Sequence, residues 1–289
     1  MVCSFVLSYL FFCLFLFVRQ RHLIYRPRPE LSLQPSSPDF ELAYQDVWIP
    51  IENTSEQLHG WWLPAVPGEQ VTILPDEPRQ VLSSPKTMLY FCGVGRNMGD
   101  YNYLSRVAAF RQLGFSVVVF DYRGYGKSQG SFPTEEQLYD DSQAAWIFVR
   151  DELSIPAEDV VIYGESLGGA IALNLAIQQP DAAGLIMQSS FTTMADAVKH
   201  KPIASIIPVD LILTEDFDSI GKISTLEMPV LILHGSDDAV VPVSMSDELY
   251  QAAPEPKQRL IIPGAEHVSI YTPGEGSYLK AVNAFISTL

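Results

Sequence analysis

From Val2 to Val18 the chain reads VCSFVLSYLFFCLFLFV, seventeen residues without a charge. Coiled as a helix, this run would be about 26 Å long, near the lower limit for crossing hydrocarbon. No basic side chain precedes it, whereas Arg19, Arg21 and His22 follow. A cleaved signal peptide carries its charge on the other flank and ends in small residues. The pattern predicts an uncleaved, single-pass membrane anchor over residues 1–24, with the positive-inside rule placing the body in the cytoplasm. Residues 25–39 are proline-rich and read as a stiff, extended tether.

Beyond residue 40 the pattern changes. β-rich runs occupy Ala43–Ile51 and Leu58–Val66, and a Pro-punctuated loop follows over 67–86. Met88–Cys92 (MLYFC) and Ser116–Asp121 (SVVVFD) are continuous apolar runs, the mark of strands covered on both faces. Val160–Tyr163, Leu185–Gln188, Val230–His234 and Leu260–Ile262 are further strand candidates. Helical spacing fits Tyr101–Leu113, Leu167–Gln178, Val243–Ala253 and Gly276–Leu289. Thr134 opens another helix, to about Leu153, with Gln137 completing a capping box. Strand–helix alternation implies an α/β domain over 40–289, with a mostly parallel twisted sheet of about eight strands and helices on both faces. About forty residues separate the strands near Ile186 and Leu231. That connection is long enough for a small helical lid, roughly 191–225.

Charge and cysteine content narrow the function. The 289 residues carry a net charge of −16. Residues 1–30 hold four arginines and one acid, so the remainder is more acidic still, at −19. Such a body repels phosphate backbones, which argues against nucleic-acid binding. Cys3, Cys13 and Cys92 are too few for a disulfide framework or a Cys-rich zinc site.

The main chemical signal is Gly164-Glu165-Ser166-Leu167-Gly168-Gly169, a G-x-S-x-G pattern between a buried strand and a helix. Chance alone gives about 0.1 matches in a chain of this length. The flanking context turns the pattern into a strained elbow that lifts Ser166 Oγ above the sheet, with Gly164 and Gly168 where a Cβ would collide. The bland alternative is a Gly-rich turn with a capping serine. Of five histidines, His267 follows the last strand through a short turn at the same sheet edge, where an imidazole can act as base. His22 flanks the anchor, His59 precedes the parallel strands, His200 lies in the lid and reads as solvated, and His234 reads as a packed strand-end residue. After the strand VLILH, either Asp237 or Asp238 can orient the imidazole. Backbone N–H groups of Val94, in the turn Gly93-Val94-Gly95, and of Leu167 are the candidate oxyanion donors. The Gly93-x-Gly95 turn also permits a dinucleotide reading with Asp121 as the ribose acid, but the glycine spacing is wrong for it. No Walker lysine and no H-E-x-x-H occurs.

Taken together, GESLGG, HGSDDAVVP, GAEH, the glycine loop after MLYFC, the LIYRPRP tether and above all DYRGYGKSQG (Asp121–Gly130) resemble the α/β-hydrolase superfamily. More narrowly, they resemble membrane-tethered, small-lid serine hydrolases of the ABHD type. The resemblance covers residues 40–289. It implies the chain order Ser166, Asp238, His267, because the family's acid is the fifth residue counted from His234. It also implies that an oxyanion donor follows a His-Gly pair. Here Cys92-Gly93 stands in that place and Val94 keeps the donor position. Arg123 and Lys127 of the DYRGYG loop either shape the cleft rim or meet an anionic substrate.

The expectation is a serine hydrolase that cleaves carboxylic esters or thioesters, including acyl or lipid substrates, beside a bilayer. This chemistry needs neither metal nor organic cofactor. The rival expectations are a membrane-tethered, non-catalytic scaffold on the same fold, or a serine peptidase or acyltransferase using the same acyl-enzyme. The sequence does not speak to oligomeric state.

Overall fold

The computed structural model describes residues 2–65, 86–271 and 276–289. The chain starts with helix α1, Val2–Ile24. It continues through β1 (Gln45–Pro50), β2 (Gln57–Leu63), β3 (Thr87–Phe91), α2 (Tyr101–Gln112), β4 (Ser116–Phe120), α3 (Glu135–Ile147), β5 (Val160–Glu165) and α4 (Leu167–Gln178). After β6 (Gly184–Gln188) come α5 (Met194–Lys199), α6 (Val209–Ile212) and α7 (Ser219–Ile223). β7 (Val230–Gly235), α8 (Val243–Ala252), β8 (Lys257–Ile262) and α9 (Gly276–Ile286) complete the described elements. Val66 and most of the predicted 67–86 loop lie outside the described residues.

The eight strands form one sheet in the order β1-β2-β4-β3-β5-β6-β7-β8. β1 and β2 pair antiparallel, β2 meets β4 antiparallel, and every later neighbour is parallel. Strands β3 to β7 are buried along their whole lengths. Their alternate side chains feed two cores. Leu89 and Phe91 of β3 join Val118, Ile162 and Met187 on one face, whereas Met88 and Tyr90 join Val119, Tyr163 and Leu233 on the other. This two-sided burial explains why these strands read as unbroken apolar runs. The capping box at α3 forms with both its hydrogen bonds. The helix then passes into a turn of π-helix, Phe148–Glu152.

The first helix is continuous past Val18. It runs to Ile24 through the basic flank, because Gln20 and Arg21 find partners on the body. One N-terminal expectation, the tether, needs correction. Residues 25–38 do not form a free spacer. Tyr25 is fully buried, Asn97 Nδ2 donates to the carbonyls of Arg28 and Glu30, and Leu33 N–H donates to Gly99 O. The segment therefore lies along the glycine loop that follows β3.

Candidate active site

The parallel strands all end at one edge of the sheet, and the candidate residues emerge there from β5, β7 and β8. Ser166 sits between β5 and α4 with φ 55° and ψ −120°, a conformation that L-residues avoid. The elbow is enforced by crowding. A Cβ on Gly164 would lie 2.2 Å from the carbonyl oxygen of Gly168, and one on Gly168 would lie 2.2 Å from that of Phe91. Neighbouring backbone fixes the turn. Ser166 N–H donates to Gln188 O at 2.8 Å, and Ser190 Oγ donates to Ser166 O at 3.0 Å.

His267 arrives from the turn after β8. Its Nε2 lies 3.0 Å from Ser166 Oγ and its Nδ1 lies 2.6 Å from Asp238 Oδ2. Asp238 Oδ1 accepts the N–H groups of Val240 and Val241, each at 2.8 Å. Asp237, the other candidate acid, is exposed and accepts from Ser236 Oγ instead. Burial by itself pushes the Asp238 carboxyl up. Hydrogen bonds from His234 and His267, together with the field of His267, outweigh it and hold the group below the usual carboxylate range. The serine, imidazole and carboxylate thus form one hydrogen-bonded chain.

The glycine loop closes the other side. A Cβ on Gly93 would lie 3.4 Å from Ser166 Cβ, so this backbone runs directly past the serine. Val94 follows on that loop, and Leu167 starts α4 beneath it. Tyr122 Oη donates to Cys92 O at 3.0 Å and Gly95 N–H donates to Tyr25 O at 2.9 Å, which pins the loop at both ends. Burial pushes the Cys92 thiol well above its ordinary range, so it is no competing nucleophile.

The remaining candidates are either paired within the fold or exposed. Arg123 is buried on Asp141, with its Nε 2.8 Å from Oδ1, so its charge is already paired; Lys127 is exposed. Asp121 accepts Met98 N–H at 2.7 Å inside the glycine loop, which leaves the dinucleotide reading without its ribose acid. His200 is exposed, and His59 is buried against Asp46 at 2.6 Å. Among the described residues, no group of three or more His, Cys, Asp or Glu could hold a metal ion.

Sequence reasoning missed two features. His234 is more than a packed strand end. Its Nε2–H points at Val241 O (3.0 Å) and Asp238 Oδ2 (3.2 Å), so a second imidazole touches the acid. Beneath the elbow, Arg106 of α2 is fully buried. Its Nη2 lies 2.6 Å from Glu165 Oε1, its Nε donates to Tyr90 Oη at 3.1 Å, and its Nη1 reaches Val268 O at 3.4 Å. One guanidinium therefore joins the neighbour of Ser166 to the neighbour of His267. The available signal was an arginine inside the apolar stripe of α2.

This geometry has relatives. A family model described as serine aminopeptidase, S33, matches residues 83–212. The chain is 33% identical over 256 residues to the uncharacterized protein Rv2307c of Mycobacterium tuberculosis, covering 88% of this chain and 82% of that one. It is 34% identical over 209 residues to the alpha/beta hydrolase domain-containing protein 17B of Homo sapiens, covering 70% and 66% respectively. The Pyrococcus furiosus esterase Pf2001 shares the fold at a TM-score of 0.71 and 19% identity, over 92% of this chain and 99% of that one. The chain belongs to the α/β-hydrolase superfamily and is a hydrolase of that type.

Proposed function

We propose that the protein is a membrane-anchored serine hydrolase of carboxylic esters or thioesters. The observation that carries this reading is the continuous chain from Ser166 Oγ through His267 to Asp238, at 3.0 and 2.6 Å. His267 Nε2 takes the hydroxyl proton as Ser166 attacks the carbonyl carbon. Asp238 keeps the imidazole in the tautomer with Nδ1–H and stabilises the imidazolium that forms. The N–H groups of Val94 and Leu167 receive the negative oxygen of the tetrahedral intermediate. The intermediate collapses, and His267 returns the proton to the departing alcohol or thiol. Water then repeats the sequence on the acyl-serine, and the free acid leaves.

The anchor is part of the proposal. α1 contains a 21-residue span, Ser4–Ile24, long and apolar enough to cross a membrane, and only 6% of its most apolar window is buried against the body. A helix of that composition left in water exposes an apolar surface that a bilayer would cover. Its last turn is bonded to the body, with Gln20 Nε2 on Ile212 O and Arg21 on Glu215, which supports retention over cleavage. The basic flank favours a cytoplasmic body. Residues 1–24 then serve as anchor, residues 40–289 as the hydrolase domain, and about 191–225 as its lid.

A fluorophosphonate probe that labels wild-type protein and spares Ser166→Ala supports this reading; absence of labelling on folded protein favours the scaffold alternative. The family description as serine aminopeptidase favours one further reading, amide hydrolysis. Turnover of matched p-nitrophenyl esters, thioesters and aminoacyl anilides separates them, with the ester or thioester expected to be fastest.

A further inference from the structure

We propose that one hydrocarbon chain of a bilayer amphiphile docks in the cavity between α1 and the lid, reaching it sideways from the membrane. This deepens the hydrolase reading above and rests on it. The cavity measures about 310 Å³ and is walled by Leu16, Leu23 and Ile24 of α1 and by Val198, Ile207 and Ile212 of the lid. That is the low end of the range for small-molecule sites, roughly 300–1,000 Å³.

Its position links membrane and triad. On the α1 side, Ile24 is followed by Tyr25, whose carbonyl accepts Gly95 N–H from the glycine loop. On the lid side, the cavity-lining Lys201 donates from Nζ to the carbonyls of Ala239 (3.0 Å) and Val240 (2.6 Å), next to Asp238. The two walls are thus tied, through Tyr25 on one side and Lys201 on the other, to loops that carry parts of the candidate site.

The occupant follows from the surroundings. Phe17 and Val18 of α1 are exposed apolar residues one turn from the cavity wall. The lid adds Ile206 at 57% and Leu211 at 82% exposure. Helix and lid therefore both present exposed apolar residues near a cavity whose wall includes Leu16, Leu23 and Ile24 of the predicted span. A chain moving from the bilayer into this cavity exchanges one largely apolar environment for another. The lid itself cannot swing away freely. Gln20 bonds Ile212 O and Thr214 N–H, and the buried Glu215 accepts from Arg21, Tyr25 Oη and Glu135 N–H.

The test uses full-length protein in phosphatidylcholine vesicles. A C16 fatty acid bearing a chain diazirine is photolysed and its adducts are mapped by mass spectrometry. The expected adducts lie within 16–26 and 198–213, and they fall at least tenfold in Val198→Trp and in Ile207→Trp, two independent cavity-filling variants. In parallel, kcat/KM for a palmitoyl thioester in the same vesicles falls at least tenfold in both variants, while that for a soluble butyryl thioester stays within twofold. Adducts elsewhere, adducts unchanged by either tryptophan, or an equal loss for both chain lengths overturn the proposal. If wild-type protein hydrolyses neither the thioesters nor the matched p-nitrophenyl esters, the hydrolase reading falls, and the adduct map alone still decides whether the cavity takes the chain.

Discussion

Replacing Arg106 by methionine removes the positive end of an ion pair that lies under both reacting side chains. Arg106 is 0% and Glu165 2% exposed, so solvent cannot screen the loss. Among the described residues, Arg106→Met leaves a buried carboxylate with only the Tyr90 hydroxyl, at 2.9 Å, still bonded to it. Breaking a buried pair on one side costs about 3–5 kcal/mol. A domain of this size loses roughly 2–4 °C of Tm per kcal/mol, so the melting point should fall by roughly 6–20 °C. Removing both charges is different. Arg106→Met/Glu165→Gln discards the unpaired charge, and most of the loss should return, since uncharged replacements of buried pairs are often close to neutral. The assay is denaturant unfolding of wild type, both single variants and the double variant, read as a double-mutant cycle. A coupling of about 2 kcal/mol or more is expected. Below its melting point, Arg106→Met should also lose about 10- to 100-fold in kcat with little change in KM, because Glu165 and Val268 flank Ser166 and His267. A single variant within about 1 kcal/mol of wild type, or a double variant no better than Arg106→Met, would refute the reasoning.

Asp238→Asn should cut kcat by about 10⁴ through the wrong imidazole tautomer, whereas Asp237→Asn should stay within twofold; steady-state ester hydrolysis checks both. Asp121 Oδ2 is buried with no partner among the described residues, and burial lifts the carboxyl to about 7. Because the folded value lies above the unfolded one, near 4, this group's stabilisation is complete below about pH 4 and is lost as pH rises through 7. Asp121→Asn cannot ionise, so its Tm relative to wild type should be several degrees higher at pH 8 than at pH 5; equal differences at both pH values would contradict this. Gly168→Ala places a methyl group 2.2 Å from Phe91 O and 2.5 Å from Cys92 O, both backbone atoms. It should cost at least about 3 kcal/mol or yield no soluble protein, as scored by expression and thermal melting.

The two-sided strands were the most legible part of the fold, because burial on both faces leaves an uninterrupted apolar run such as SVVVF. The elbow was equally legible, since its glycines answer local collisions between consecutive elements. The strand preceding His267 was only half visible. β8 begins at Lys257 and carries Arg259, because an edge strand paired on one side keeps polar residues. The packing of Gln20, Arg21 and Tyr25 was hidden for another reason. Their partners Ile212 and Glu215 lie about 190 residues away, and no local pattern records such a pairing. The choice between Asp237 and Asp238 needed either the family pattern or coordinates, since two adjacent acids on one loop differ only in direction.

The most direct measurement is the rate and position of fluorophosphonate labelling on folded, full-length protein. The account predicts a single adduct on Ser166, abolished in Ser166→Ala, slowed about 10³-fold or more in His267→Ala, and unchanged in Asp237→Asn. Labelling that survives Ser166→Ala, or that proceeds at the wild-type rate without the His267 imidazole, would contradict it.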